Sequence, residues 1–195
     1  MKEKLVLLGG GGHCRSCIDV IEKQQRYEVV GILDKADTVG LEVVGYRILG
    51  TDEDIPMYIP QGCAFLITFG QVKSSLARET LFTVLKDHGA ILATVISPRA
   101  YVSKHASVGM GSIVMHDALI NSGARVGKNC IVNTKALVEH DAVVEDHSHV
   151  STAAVVNGGT IVRRGSFFGS NAVSKEYVET SPQDFIKMGS AFRGR

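Results

Sequence analysis

A six-residue repeat fills the second half of the chain and constrains its fold more than any other feature. Counted in sixes from residue 96, every register up to residue 168 holds Ile, Val or Phe, and no insertion interrupts the count. The thirteen residues in this register are Ile96, Val102, Val108, Val114, Ile120, Val126, Val132, Val138, Val144, Val150, Val156, Val162 and Phe168. The residues four positions later are all small: Ala100, Ala106, Ser112, Ala118, Ala124, Cys130, Ala136, Ala142, Ser148, Ala154, Thr160, Ser166 and Ala172.

These two sets of positions predict a parallel β-helix. A β-branched residue on a short strand can point inward and stack on its equivalent in the next coil, and only a small side chain fits the corner that follows. The alternative is a β-sandwich, whose strands do not keep a fixed phase over about 70 residues. A stack this short has open ends, so we expect capping and oligomerisation. The phase weakens at Ser174-Lys175-Glu176, and we expect a cap and a loose end from there to Arg195.

The first half of the chain has a different pattern of hydrophobic residues, which predicts strands that alternate with helices. The expected strands are Lys4–Leu8, Tyr27–Leu33, Tyr46–Leu49, Ala64–Phe69 and Ala90–Ile96, and the expected helices begin near Gly12, Thr51 and Ser75. This alternation predicts a small Rossmann-like parallel α/β sheet. We therefore expect two domains, residues 1–95 and residues 96–195.

Four consecutive glycines follow the first strand and precede the first helix, an arrangement that suits anion binding by backbone N–H groups. Asp34 ends the next strand, where an acid can bind ribose hydroxyls. The dinucleotide pattern of three spaced glycines is broken, because Cys14 or Arg15 stands where the third glycine belongs. A mononucleotide is therefore favoured over a dinucleotide, and a turn without a ligand remains the alternative.

Composition excludes several classes of function. The net charge of +1 gives no field of one sign that would favour nucleic acid or an anionic membrane. The four cysteines lack disulfide-framework spacing, and the apolar run Leu5–Leu8 is too short for a signal peptide or a membrane span. We therefore expect a reduced, cytoplasmic compartment. Cys14 and Cys17 share an apolar helix face with Ile18 and Ile21, which favours core packing over redox chemistry, and Cys130 occupies an inward corner of the repeat.

His140 is the histidine with the most suggestive setting, because Glu139 and Asp141 flank it in the middle of the repeat. A general base must be neutral at working pH and held in one tautomer by an acceptor. A histidine in a repeat turn is more often simply solvated, so the spacing alone leaves both interpretations open.

Five segments together resemble a known family: Leu8–His13, Gly31–Asp34, Leu49–Thr51, Asn133-Thr134 and Val138–Asp141. With the repeat, they are similar to the nucleotide-sugar N-acetyltransferases of bacterial glycan biosynthesis (the PglD type) and the related NeuD-type sialic acid O-acetyltransferases. The resemblance implies a nucleotide-sugar-binding α/β domain, a left-handed β-helix, a homotrimer and acetyl-CoA as co-substrate, bound between neighbouring β-helices, with no metal.

The resemblance also implies roles for individual residues. His140 aligns with the catalytic base, and Asp141 stands where the family often has a Glu that orients it. His149 matches a second histidine near the thioester that could help to stabilise the oxyanion, and Asn133 matches a residue near the acceptor sugar. Gly158, Gly169 and Ser170 match acetyl-CoA contacts, while Gly9, Gly12, His13 and Asp34 match the nucleotide site. Direct transfer is expected, because no acyl-enzyme nucleophile stands beside His140.

Other functions remain open at this point. Within the same family, O-acetylation of a sialic-acid-like sugar is the main alternative to N-acetylation. A zinc hydratase on the same β-helix would use His147 and His149. A non-catalytic nucleotide-sugar-binding scaffold and an NAD-dependent oxidoreductase are further alternatives, disfavoured by the setting of His140 and by the broken glycine pattern respectively.

Overall fold

The computed structural model describes residues 2–194, which form an α/β unit followed by a left-handed β-helix. The α/β unit contains β1 (Glu3–Leu8), α1 (Gly12–Gln24), β2 (Tyr27–Leu33), β3 (Glu42–Val43), β4 (Tyr46–Gly50), α2 (Ile55–Tyr58), β5 (Ala64–Ile67), α3 (Leu76–Asp87) and β6 (Ile91–Leu92). Short 3-10 turns cover Ala36–Thr38 and Asp52–Asp54. The strand order is β3-β4-β2-β1-β5-β6, and every pair is parallel except the β3–β4 hairpin.

The α/β sheet is buried on both faces, which explains the unbroken apolar run of β1. Leu5 and Leu7 pack with Cys14, Cys17 and α1 on one face, whereas Val6 and Leu8 pack with α3 on the other. The expected helix face is therefore confirmed. The predicted strand at 90–96 is wrong in one respect, because it divides into β6 and a separate first strand of the β-helix, Val95–Ile96.

Two-residue strands separated by four-residue turns build the β-helix. The first face carries the strands Val95–Ile96, Ile113–Val114, Ile131–Val132, His149–Val150, Phe167–Phe168 and Phe185–Ile186. The second face carries the strands Tyr101–Val102, Leu119–Ile120, Leu137–Val138, Val155–Val156, Val173–Ser174 and Ala191–Phe192. The third face carries the strands Ser107–Val108, Arg125–Val126, Val143–Val144 and Ile161–Val162. Each strand pairs in parallel with the strand 18 residues later, as Ile113 does with Ile131. The predicted inward register is confirmed, since its central valines are completely buried.

From Val108 onward, the turns share one backbone feature, a left-handed residue three positions after each inward residue. This holds for all fourteen turns from Gly111 to Gly189, including Asp141 with φ of 58° and Tyr177 with φ of 51°. Glycine, Asn and Asp occupy most of these positions because they tolerate positive φ best. The unbroken series shows that the coil continues well beyond Phe168.

The predicted end of the repeat at Phe168 is therefore wrong. Ser174, Thr180, Ile186 and Phe192 continue the inward register and are buried. Ser174 and Thr180 are tolerated inside because their hydroxyls accept hydrogen bonds from the backbone N–H groups of Asn157 and Arg163, at 2.8 and 2.9 Å. Hydrogen-bonded hydroxyls replace valine here, so the hydrophobic pattern disappears while the coil geometry persists.

The α/β unit packs against the first face of the β-helix. Val95, Ile113 and Ile131 point outward from that face into the core beneath α1. His116 joins the two units, since its Nε2 lies 2.7 Å from Asp19 and its Nδ1 lies 2.6 Å from Ser97 Oγ. Among residues 2–194, no helix has the length and apolar character that a membrane crossing requires.

Candidate active site

His140 lies in the turn between the strands Leu137–Val138 and Val143–Val144, at the edge where the second and third faces meet. Its side chain is 52% exposed, and its Nδ1 lies 3.0 Å from Oδ2 of Asp141. A carboxylate can only accept, so Nδ1–H donates and the proton is placed on that nitrogen. Nε2 then keeps its lone pair, as a general base requires.

Gly158 makes room for the imidazole of His140. It lies one coil below, and a Cβ added there would stand 2.6 Å from Nε2 of His140. One coil above, the carboxylate of Asp141 occupies the space where a side chain on Gly123 would be. Two glycines therefore let the imidazole and its carboxylate lie along the surface of the stack, and the structure brings together the predicted residues His140, Asp141 and Gly158.

Glu139 has a different role from Asp141. Its Oε2 accepts the backbone N–H of His140 at 3.0 Å and the amide of Asn121 at 2.7 Å. The hydrogen bond from the His140 backbone, followed by the one from Asn121, lowers the pKa of Glu139. The carboxylate of Glu139 therefore stabilises the backbone of the turn, and the carboxylate of Asp141 contacts the imidazole of His140.

His149 lies on the first face and is 5% exposed. Its Nδ1 lies 2.6 Å from the backbone carbonyl of Gln71, so Nδ1–H donates there and Nε2 accepts from the amide of Asn133 at 3.2 Å. In this tautomer Nε2 offers a lone pair rather than a proton. The expected help to the oxyanion therefore has no support in this arrangement.

His13 lies beside His149, with ring centroids 6.4 Å apart. Burial lowers the pKa of His13 to about 3, and the nearby imidazole of His149 and guanidinium of Arg78 act in the same direction. Burial also lowers the pKa of His149 to about 4, although its hydrogen bond to the carbonyl of Gln71 acts in the opposite direction. Both imidazoles are consequently neutral at neutral pH. Nε2 of His13 is buried without a hydrogen-bond partner among residues 2–194.

The predicted acetyl-CoA and sugar residues divide between two edges of the β-helix. Asn133, Gly169 and Ser170 lie at the edge between the first and second faces, where Ser170 Oγ is 2.9 Å from Ser151 Oγ. His140 and Gly158 lie at the edge between the second and third faces. Both edges flank the second face, and within one chain they do not meet.

A cleft of about 870 Å³ lies at the carboxyl ends of β1 and β2. Gly9, Gly11, Asp34, Thr51 and Phe69 are among its lining residues. Gly9 has φ of 101° and its α-carbon faces Phe69 so closely that a Cβ would lie 2.8 Å from the ring, so only glycine fits. Oδ2 of Asp34 accepts the backbone N–H of Gly10 at 2.9 Å and thereby holds the glycine turn.

Gly12 is the first residue of α1, and His13 follows it at the junction with the β-helix. His13 therefore points away from the cleft that Gly9 and Asp34 line and contacts Gly70 and His149 instead. Of the predicted nucleotide residues, Gly9, Gly12 and Asp34 lie at the glycine turn, whereas His13 lies at the junction between the α/β unit and the β-helix.

Two functional residues of this junction, Gln71 and Arg78, are not identified from the sequence. Gln71 donates from its side-chain amide to the carbonyl of Gly165 at 3.0 Å, and its own carbonyl holds His149. Arg78 is buried, and burial lowers the pKa of its guanidinium to about 10. It donates to the carbonyls of Ile67 and Phe69 and to Oδ1 of Asn129 at 2.7 Å. No periodic pattern in the sequence signals this docking.

His147 and His149 turn toward different partners. Nδ1 of His147 lies 2.9 Å from the amide of Asn129, and its ring packs edge-on against Phe82. In the part of the chain that is described, no three His, Cys, Asp or Glu side chains are grouped as ligands for a metal ion.

Burial raises the pKa of the Cys14 thiol to about 11 and that of the Cys130 thiol to about 12, which fits the packing role expected for both cysteines.

Comparisons with known proteins agree with this architecture. The family model of the PglD N-terminal domain matches residues 4–84, whereas no curated protein matches the chain in sequence. The acetyltransferase domain of PglB from Neisseria gonorrhoeae FA1090 superposes with a TM-score of 0.90 at 25% identity, over 99% of this chain and 92% of that chain. The same domain in complex with acetyl coenzyme A gives 0.88 at 25% identity, over 98% and 93%.

A third similar structure is a mutant of perosamine N-acetyltransferase from Caulobacter crescentus, in complex with CoA and GDP-perosamine. It superposes with a TM-score of 0.70 at 27% identity, over 94% of this chain and 90% of that chain. The similarity therefore extends over both units, as the expected family requires.

Proposed function

We propose that this chain is a sugar acetyltransferase of the PglD/NeuD type and that it transfers the acetyl group of acetyl-CoA to the amino group of a nucleotide-linked amino sugar. The observation that carries this proposal is the arrangement of His140, whose Nδ1 is held by Asp141 while Nε2 lies free over Gly158. An exposed imidazole that is held in one tautomer over a glycine is suited to accept a proton from a substrate amine.

The proposed reaction is a direct transfer. The amine nitrogen attacks the thioester carbonyl carbon, and Nε2 of His140 takes the proton that the nitrogen loses. Backbone N–H groups stabilise the oxyanion of the tetrahedral intermediate. The carbon–sulfur bond then breaks, and the proton on Nε2 passes to the departing thiolate. Asp141 stabilises the imidazolium in between, and the products are the amide and coenzyme A.

The α/β cleft is proposed to bind the nucleotide part of the acceptor. The glycine turn and the start of α1 present backbone N–H groups that suit a diphosphate. Oδ1 of Asp34 has no hydrogen-bond partner among residues 2–194, so it is available to a ribose hydroxyl, while Oδ2 holds the turn.

A homotrimer is proposed because the site residues are divided between two edges of one chain. The second face between those edges presents an apolar outward row: Tyr101, Leu119, Leu137, Val155 and Val173. If this face is turned toward a threefold axis, each His140 edge meets the Asn133 edge of a neighbouring subunit. A closed ring of three satisfies every such contact.

The test is a thiol-release assay with acetyl-CoA against UDP-, GDP- and CMP-linked amino sugars. We expect release of coenzyme A with at least one of them, with the acetyl group recovered on the amino nitrogen. Recovery of the acetyl group on a hydroxyl oxygen of the sugar would contradict N-acetylation. We propose that the reaction takes place in the cytoplasm, and the free state of all four cysteines is consistent with a reducing compartment.

A further inference from the structure

The side chains of His149 and Asn133 form a hydrogen-bond relay that begins at the backbone carbonyl of Gln71. Nδ1 of His149 lies 2.6 Å from that carbonyl oxygen, and Nε2 of His149 lies 3.2 Å from the amide nitrogen of Asn133. Oδ1 of Asn133 accepts the backbone N–H of Thr134 at 2.8 Å. The relay therefore joins the segment after β5 to the first face of the β-helix and to the turn at the edge of that face.

Both ends of this relay fix the direction in which its protons point. A carbonyl oxygen can only accept, so Nδ1 of His149 carries a proton. A backbone N–H can only donate, so the oxygen of the Asn133 amide faces Thr134 and its nitrogen faces His149. The two ends independently require the same arrangement, in which Nε2 of His149 accepts. Burial keeps this imidazole neutral, because it lowers the pKa of His149 to about 4.

This arrangement leaves one N–H of Asn133 free for a ligand. An amide nitrogen carries two N–H groups, of which one donates to Nε2 of His149. The other has no partner among residues 2–194, and Asn133 is partly exposed at the edge between the first and second faces. Because two contacts hold the amide in one orientation, the free N–H has a fixed direction and selects an atom that can accept a hydrogen bond.

Gln71 is itself anchored by its side chain. It is 2% exposed, and its side-chain amide donates to the backbone carbonyl of Gly165 at 3.0 Å. Gly165 lies in the turn before Phe167, whose ring packs edge-on against His149 with the centroids 5.2 Å apart. Oε1 of Gln71 is buried without a partner among the described residues, a cost that an apolar side chain of similar size would avoid. The glutamine is therefore explained by its donor, which fixes where its own carbonyl meets His149.

We infer that Gln71 is a positioning residue for the acceptor sugar: through His149 it directs the free N–H of Asn133 toward an oxygen atom of that sugar. This inference rests on the proposed function, which supplies the acceptor. Phe69 lines the α/β cleft that is proposed to bind the nucleotide, and Gln71 follows it by two residues and contacts His149. The segment thus leads from the nucleotide to the relay, where the sugar that follows the diphosphate is expected.

The tautomer of His149 tests the positioning role without any substrate. Imidazole nitrogen NMR should show a protonated Nδ1 and an unprotonated Nε2 in wild type. Gln71→Met keeps the length of the side chain but removes the donor to Gly165, so we expect a mixture of both tautomers. Gln183→Met is the matched control, because Gln183 also borders Gly165, and it should behave like wild type. A pure Nδ1-protonated tautomer in folded Gln71→Met would overturn the inference.

Steady-state kinetics separate the sugar from the acetyl donor. We expect Gln71→Met to raise the KM of the nucleotide amino sugar about tenfold and to leave the KM of acetyl-CoA unchanged. An unchanged KM for the amino sugar, or a rise in the KM of acetyl-CoA instead, would overturn the inference.

Asn133→Asp gives the same decision if Gln71→Met does not fold. A carboxylate can only accept, so Nε2 of His149 should become protonated in this variant. An unprotonated Nε2 in Asn133→Asp would overturn the inference. A wild type that transfers no acetyl group would contradict the proposed function, whereas the His149 tautomers would still decide whether Gln71 holds the relay.

Discussion

At the scale of single residues, the orientation of the His140 imidazole depends on the carboxylate of Asp141 and on the absence of a side chain at Gly158. Asp141 sets the tautomer, but Gly158 provides the space in which Nε2 lies. The sequence identifies His140 because carboxylates flank it. The resemblance gives Gly158 only as a match to an acetyl-CoA contact, and its position one coil below the imidazole follows from the 18-residue stacking.

Gly158→Ala is expected to reduce turnover by about 100-fold, because a Cβ 2.6 Å from Nε2 must push the imidazole away from its bond to Asp141. The backbone of Gly158 does not require positive φ, so the fold and the melting temperature should be retained. Steady-state kcat at saturating acetyl-CoA measures the effect. Ser122→Ala is the matched control, since Ser122 lies one coil above His140 in the same column. Normal turnover in Gly158→Ala would show that the imidazole of His140 does not act as the general base from its position over residue 158.

At the scale of elements, the segment that joins β5 to α3 docks the α/β unit onto the β-helix. Gln71 and Arg78 contact Gly165, His149 and Asn129, which are 51 to 94 residues away in sequence. Contacts over such separations leave no periodic pattern, so sequence analysis could not place His13 beside His149. The sequence also did not indicate that the repeat continues through Ser174 and Thr180, because hydrogen-bonded hydroxyls stand there in place of the valines that define the pattern.

This junction predicts acid-sensitive stability. Burial lowers the folded pKa of His149 from 6.5 to about 4, so between these values the unfolded chain binds more protons than the folded one. The contribution of neutral His149 is present above the unfolded pKa and is lost as pH falls through this window. From pH 7 to pH 5 the loss should be about 2 kcal/mol in the free energy of unfolding.

Urea unfolding of wild type and His149→Gln at both pH values measures this loss. The variant should lose less stability than wild type on acidification, whereas His88→Gln, at an exposed position at the end of α3, should behave like wild type. An identical pH dependence in wild type and His149→Gln would contradict the burial of neutral His149 in this junction.

At the scale of the whole molecule, the sequence indicates a short stack with open ends, but the surface through which copies associate becomes visible only in three dimensions. The second face presents its apolar row between two edges that each carry part of the predicted site. Its outward residues alternate with the inward register and follow no simple rule of their own, so the repeat alone could not distinguish this face from the third.

Light scattering at micromolar concentration should give the mass of a trimer for wild type. Val155→Glu, in the middle of the second face, should give monomers, because three carboxylates would be brought together near the axis. Val143→Glu, at an outward position on the third face, should remain trimeric. A monomeric wild type, or dissociation caused by Val143→Glu instead, would contradict the proposed assembly.

His140 is proposed to accept the proton of a nucleotide-linked amine during transfer from acetyl-CoA. Mass spectrometry can quantify the acetylated nucleotide amino sugar that wild type and His140→Ala form at neutral pH with both substrates saturating. We expect His140→Ala to form product about 10²–10⁴-fold more slowly, while it binds coenzyme A and melts as wild type does. Product formation by His140→Ala at nearly the wild-type rate would contradict this role of His140.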